Sequence, residues 1–408
     1  MEKEKKEERI LGAQEILFYA MNEASPMHFL VAAEVEGHTE VSAWRDAAAL
    51  LQQIHPMLGM SITAVGDDLI FTRSVQTPML VETASLTELF DLPSALEEEL
   101  EMGFRSDQGS LVRIKLFHSS EKSVVIVAAH HSVSDALSSV NLINGFLGIL
   151  AGKTIGDLAV QPSTDEFLGF TNHGLAAKIN LQLKPGTPLP HVFTKQRPPA
   201  KVSLLQFSGE LTALLVDTAK KEGTTVHGAL QAAAALALQQ MDFPVPRQAY
   251  VMSPFSVRKE MNVVTDFGLF IDTKIVAVDT DEKECFWNIA RAANFALADV
   301  HTPEFLKSSA EQLRGLISYS DDLIQFIKDN FTFDIMLSNL GRLSLDRPAD
   351  TLKVNFVAGP FIISGINRTQ AIGAVTLNGR LLLSHSTRYP VSGLLKAIES
   401  KIREVCFA

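Results

Sequence analysis

Residues Ser123–Leu150 read SVVIVAAHHSVSDALSSVNLINGFLGIL. The run Ser123–Ala129 is apolar, of strand length and rich in Val and Ile, which predicts a strand covered on both faces. Two histidines follow at once, His130 and His131. Successive strand side chains point to opposite faces, so the two imidazoles are expected to diverge. After Ser132-Val133-Ser134-Asp135, apolar residues recur at Ala136, Leu137, Val140, Ile143, Leu147 and Leu150, the spacing of an amphipathic helix. An imidazole at a strand end, with a carboxylate four residues on, is a candidate general base with an orienting group.

Each residue also has a plainer reading. A histidine at a strand end commonly serves structure alone. Ser132-x-x-Asp135 fits the capping-box pattern, so Asp135 could simply receive a backbone N–H at the helix start. The histidine pair raises metal ligation as well, but no HExxH occurs, and the two cysteines, Cys285 and Cys406, offer no useful spacing. No metal site is expected.

The segment His130-His131-Ser132-Val133-Ser134-Asp135-Ala136 resembles the HHxxxDG motif of the chloramphenicol acetyltransferase-like superfamily. That group includes condensation domains, plant-type acyltransferases, polyketide-associated acyltransferases and alcohol acetyltransferases. Ala136 replaces the motif's glycine. Other segments agree in order. Leu11-Gly12-Ala13-Gln14-Glu15 resembles the opening segment of such proteins. Gln53-Ile54-His55-Pro56-Met57-Leu58 resembles their RHPxLR segment without its basic residues. Ser338-Asn339-Leu340-Gly341 resembles the SNLG segment of alcohol acetyltransferase-like members. Asp266-Phe267-Gly268-Leu269-Phe270-Ile271-Asp272-Thr273 is similar to the GxFVNT segment of condensation-type members. The plant-type DFGWG signature is absent, since Leu269 stands where Trp would be.

Bulk properties set the frame. The chain has 408 residues, 46% of them hydrophobic, which suggests two cores. Its formal net charge is −11, which argues against nucleic acid and anionic membrane as main partners. Two distant cysteines make no disulfide framework, so a reducing cytoplasm is the expected setting. The charged start MEKEKKEERI has no apolar region typical of a secretory signal. No run of eighteen apolar residues occurs, and no membrane span is expected.

Strands and helices alternate on both sides of a break. Residues 152–200 lose the pattern, with Lys184-Pro185-Gly186-Thr187-Pro188-Leu189-Pro190 and Arg197-Pro198-Pro199 holding regular structure off. Phe167, Phe170 and Phe193 suggest that this crossover is partly docked. The expected organisation is residues 1–160 as a first domain with the histidine motif, 161–200 as a crossover, and 201–408 as a second domain. The expected class is α+β with mixed sheets. Asn378-Gly379 between two apolar runs is a hairpin signal. The resemblance implies two chloramphenicol acetyltransferase-like domains side by side, with the active site in a tunnel between them.

Other candidates complete the site. The resemblance implies that Arg258 pairs with Asp135 and holds the histidine loop; the plain reading is a solvated arginine. Ser338 and Asn339 end a strand before Gly341 and are candidate oxyanion donors, or simply turn residues that satisfy local backbone groups. His227 is expected to be structural; His191, His301 and His385 have no supporting context. Gly365 and Gly373 suit loops better than a phosphate cradle.

By resemblance, the chain is an acyltransferase. The candidate catalytic residues are His131, His130 and Asp135, with proton transfer placed on the second histidine. The donor would be a thioester of coenzyme A or of a phosphopantetheinyl carrier protein, a co-substrate and not a bound cofactor. The acceptor would be a small-molecule hydroxyl or amine, and an acyl carrier protein is a candidate partner. One rival is a stand-alone condensation domain forming amides. Another is a binding or scaffold protein that kept the fold and lost the chemistry.

Overall fold

Strand β7, Lys122–His130, is buried along almost its whole length because it is central in its sheet. A computed structural model describes residues 8–24, 26–73, 78–106, 109–156, 158–177, 179, 197–241, 243, 248–281, 283–319, 323, 327, 332–345, 352–364 and 368–407. In chain order the first half contains β1 (Glu8–Ile10), α1 (Ala13–Ala24), β2 (His28–Glu36), α2 (Val41–Ile54), β3 (Met60–Val65), β4 (Asp68–Arg73), β5 (Leu80–Ser85), α3 (Leu92–Glu101), β6 (Val112–His118), β7, α4 (Ala136–Leu150) and the short α5 (Thr164–Phe167). The second half contains β8 (Lys201–Gln206), α6 (Gly209–Lys221), α7 (Val226–Gln240), β9 (Gln248–Ser256), β10 (Ile271–Asp279), α8 (Phe286–Phe295), α9 (Pro303–Tyr319), β11 (Ile335–Arg342), β12 (Lys353–Ile362), β13 (Gln370–Leu377), β14 (Arg380–Thr387) and α10 (Leu394–Phe407).

Two mixed sheets and one small sheet result, so the α+β expectation holds. The first lobe's sheet runs β12-β2-β7-β6-β5, antiparallel except for the parallel pair β5/β6. The second lobe's sheet runs β10-β9-β11-β13-β14-β8, with β9/β11 and β11/β13 parallel. Strands β1, β4 and β3 form a three-stranded antiparallel sheet.

Helix α4 packs on β2 and β7, and α2 packs on α4. Trp44, Leu51, Phe146 and Leu147 are fully buried there. The Ala-rich helix α7 lies against β9, β10 and β11, with α8 and α10 against it. Its small side chains allow this close approach: Ala229, Ala232, Ala233, Ala235 and Ala237 are all at 0% exposure.

Several features join the halves, among them the packing of α3 on β8. Helix α1 touches α9. Residues 257–270, between β9 and β10, reach back to the start of α4. Strand β12 pairs with β2, so one strand of the 201–408 stretch completes the first lobe's sheet. The apolar alternation predicts a strand over Leu352–Val357. It continues to Ile362 with a register shift between Ala358 and Phe361. Gly373, expected in a loop, sits inside β13, where an added Cβ would lie 2.5 Å from the Gly359 carbonyl oxygen. Asn378 and Gly379 form the expected hairpin, both at positive φ.

Within the crossover, Phe170 is covered by the Arg314 guanidinium, 5.0 Å from the ring centroid. Phe167 is 43% exposed and so is not docked as expected. Lys184–Pro190, His191, Phe193 and Gly365 lie outside the described residues.

Candidate active site at the junction of the lobes

The two histidines enter different surroundings, as strand alternation predicts. His130 is fully buried, accepts the Ser132 N–H at Nδ1 (3.1 Å) and meets the edge of Phe104. Burial lowers its pKa to about 3. His131 lies past the last residue of β7 and lines a cavity of about 1020 Å³. Phe18 stacks on its ring at 3.9 Å, and Phe29 tilts against it at 4.8 Å.

The His131 tautomer follows from its partner. Its Nδ1 lies 3.0 Å from the Ser134 carbonyl oxygen, which can only accept, so Nδ1 carries the proton. Nε2 then holds the lone pair. Burial lowers the His131 pKa to about 4, opposed in part by the Ser134 carbonyl and the Asp135 charge. At neutral pH the ring is therefore uncharged, the form that accepts a proton.

Asp135 serves both readings at once. It is the N-cap of α4, accepting the Ser138 N–H at 2.7 Å. It also pairs with Arg258, whose Nη2 lies 3.2 and 3.3 Å from the two carboxylate oxygens. The Phe270 N–H donates to Oδ2 at 2.9 Å. The Ser132-x-x-Asp135 capping box does not form: Ser132 Oγ instead donates to the Glu15 carbonyl of α1 at 2.9 Å.

Arg258 is not a solvated arginine. It is 7% exposed, stacks over Phe270 at 4.6 Å, and Nη1 donates to the Asp266 carbonyl at 3.0 Å. Ser138 Oγ accepts from Arg258 Nη2 (2.5 Å) and from the Gly268 N–H (3.0 Å), and donates to the Gly268 carbonyl (2.6 Å). One donor and two acceptors exhaust a hydroxyl. The 257–270 segment is thus latched to the start of α4, and with it the loop bearing His131. Ala136 opens α4 without positive φ, so the motif's glycine is not required by the backbone here.

Ser338 and Asn339 are not brought into the site. Neither lines the cavity; Met336, two residues earlier on β11, does. Asn339 Oδ1 accepts the Gly341 N–H at 2.9 Å, as the turn reading has it. Both residues lie within β11, where Ser338 pairs with Gly373 and Asn339 with Ala374 of β13. Other described histidines serve structure or surface. His227 bonds Ser253 at 3.0 Å, His385 bonds Gln370 at 2.9 Å, and His301 faces Glu260 at 3.0 Å. His55 is buried at the end of α2, away from the cavity lining.

Several site residues escaped sequence reasoning. Gln14, Leu17, Phe18 and Met21 of α1 line the cavity, and their i, i+3, i+4, i+7 spacing was the available signal. Asp272 on β10 lines it too. Asp165 accepts the Ala13 N–H at 2.7 Å and pairs with Arg314 at 3.1 Å, fixing the start of α1. Among the described residues, no group of three or more His, Cys, Asp or Glu could hold a metal ion. Also among them, no helix is long and apolar enough to cross a membrane.

Comparison with known proteins agrees with the geometry. The condensation-domain family model matches residues 6–304. Polyketide synthase associated protein 5 from Mycobacterium tuberculosis is similar, with TM-score 0.66 and 15% identity over 98% of both chains. The first condensation domain of the CDA synthetase gives TM-score 0.70 and 14% identity, over 99% of this chain and 96% of that one. The epimerization domain from the third module of tyrocidine synthetase B gives TM-score 0.68 and 16% identity, over 98% and 95%. None of the curated proteins matches. At these identities the structural likeness shows the shared two-lobed fold, while the match to the family model covers well over half of the chain and bears out the resemblance seen in HHSVSDA: the chain belongs to the condensation-domain family.

Proposed function

We propose that this protein transfers an acyl group from a thioester, of coenzyme A or of a carrier protein, to a hydroxyl or amine of a small-molecule acceptor. The observation that carries the reading is His131. Its Nδ1–H is committed to the Ser134 carbonyl, and its ring lines a large cavity between the lobes. Nε2 would take the proton of the acceptor as the acceptor attacks the thioester carbonyl. The carbon–sulfur bond then breaks, and the departing thiolate would take up the proton that His131 carries, which gives the free thiol and restores the Nε2 lone pair. No acyl-enzyme is needed, because a thioester is already activated. Asp135 and Arg258 would position the loop and take no part in proton transfer. A cytoplasmic setting belongs to the same proposal, supported by two cysteines that are both free.

Burial in a junction lined by both lobes supports the reading, since orientation and exclusion of water there lower the barrier. Free-thiol release, followed with a chromogenic disulfide, tests it. The protein is incubated with acyl-coenzyme A donors and a panel of alcohols and amines. Acceptor-dependent release by the wild type, lost in His131→Ala, is the expected result. Absence of release with every donor, including acyl-loaded carrier protein, would favour the scaffold reading. Products from amines alone would favour the amide-forming reading.

A further inference from the structure

The cavity beside His131 is walled mostly by apolar side chains, yet among the described residues one carboxylate lines it. Asp272 lies on β10 and is partly buried. Its strand neighbour Lys274 also lines the cavity but does not neutralise it. Lys274 Nζ is held by Asp299 Oδ1 at 2.6 Å and sits 5.0 Å from the centroid of Phe305. The bonds Asp272 does receive come from neutral donors, the Thr273 N–H at 2.7 Å and the side chain of Ser309. Among the described residues it has no ion-pair partner.

A carboxylate taken from water without a cation is held at a cost. Burial accordingly pushes the Asp272 carboxyl above its ordinary range. A ligand that brings a positive charge removes that cost and makes a charge-assisted hydrogen bond. The sequence points the same way. In the stretch similar to GxFVNT, Asp272 stands where that pattern has Asn. The change keeps the size of the side chain and adds a charge.

Asp272 is also close to the catalytic loop. It follows Phe270 by two residues, and the Phe270 N–H is bound by Asp135 at 2.9 Å. At about 3.3 Å per strand residue, the two Cα positions are roughly 7 Å apart. The nearby walls, including Leu17, Met21, Met252, Leu313 and Leu316, suit an apolar body.

We propose that Asp272 recognises a cationic group, an alkylammonium or a guanidinium, on an amphiphilic acceptor whose apolar part fills this cavity. The proposal rests on the acyl-transfer reading only in naming that ligand an acceptor.

Calorimetric titration without any acyl donor tests it, using octylamine, charged at pH 7.5, against octan-1-ol. On the wild type the ammonium should bind about ten- to a hundredfold more tightly than the alcohol. In Asp272→Asn, which keeps the shape and an acceptor for the Thr273 N–H, that ratio should collapse toward one. Asp272→Ser carries the same test if a melting curve shows that the Asn variant does not fold. Equal affinities on the wild type, or a preference that survives intact in the variants, would overturn the proposal; survival would assign the preference to the acidic surface at large. Thiol release plays no part in this measurement, so failure of acyl transfer and failure of cation recognition are read separately.

Discussion

The ring of Phe18 lies flat on the imidazole of His131, with centroids 3.9 Å apart and planes inclined by 4°. Phe29 presses from β2 at an inclination of 53°, and the Nδ1 bond to the Ser134 carbonyl fixes the third direction. These contacts hold the ring in place and at the same time exclude water from it. That is why its pKa falls to about 4.

Replacing His131 by Ala should lower acyl transfer by about 10²–10⁴-fold while leaving the fold intact. His130→Ala should act mainly on stability, because His130 is fully buried and does not line the cavity. Steady-state rates and melting curves of both variants, taken side by side, check this. Full turnover in folded His131→Ala would rule out the general-base role.

Arg258→Ala should destabilise the protein by about 3–5 kcal/mol, since it leaves the Asp135 carboxylate buried without its cation. If Asp135 acted only as a helix cap, removing Arg258 would change little, and losing the cap itself would cost about 1 kcal/mol. Urea unfolding of Arg258→Ala and Asp135→Ala separates the two contributions. A cost below about 1 kcal/mol for Arg258→Ala would mean the ion pair contributes little.

Acid should unfold the protein before its carboxylates are all protonated. His28, His55, His131, His227 and His385 have pKa values lowered by burial to about 4, and His130 to about 3, from an ordinary 6.5. Between those values the unfolded chain binds more protons than the folded one. Stability is therefore complete above about pH 6.5 and declines as pH falls toward 4. Denaturant midpoints at pH 7.5, 6.5 and 5.5 measure this, and a midpoint that rises on acidification would contradict it.

Gly373→Ala should cost about 1–3 kcal/mol through overpacking. The added Cβ would meet Ser384 Oγ and lie 2.5 Å from the Gly359 carbonyl oxygen, which is backbone and cannot turn aside. Gly66→Ala probes a different cause: no atom lies within 4 Å, but φ is +60°. A melting temperature equal to wild type in Gly373→Ala would show that β12 and β13 can separate there.

Much of this molecule was legible in one dimension. Lys122–His130 and Ala136–Leu150 follow directly from a switch in apolar spacing, and Asn378-Gly379 from the φ values that a two-residue hairpin demands. The two histidines diverge as expected, although β7 ends at His130 and it is the turn opening at His131 that brings the second ring to the cavity. Other relationships have no local signature. Asp135 and Arg258 are 123 residues apart, and nothing in either neighbourhood says whether the carboxylate caps a helix, pairs with an arginine, or does both. Ser338 and Asn339 carry the residue types of an oxyanion site, yet neither lines the cavity that Met336 of the same strand does line. Strand β12 completes the first lobe's sheet from the second half of the chain, and α1 places Phe18 on His131. Periodicity determines which face of an element is apolar; only the packing of the lobes decides which residues meet across them, because that contact is selected by shape and charge over the whole junction and not by spacing along the chain.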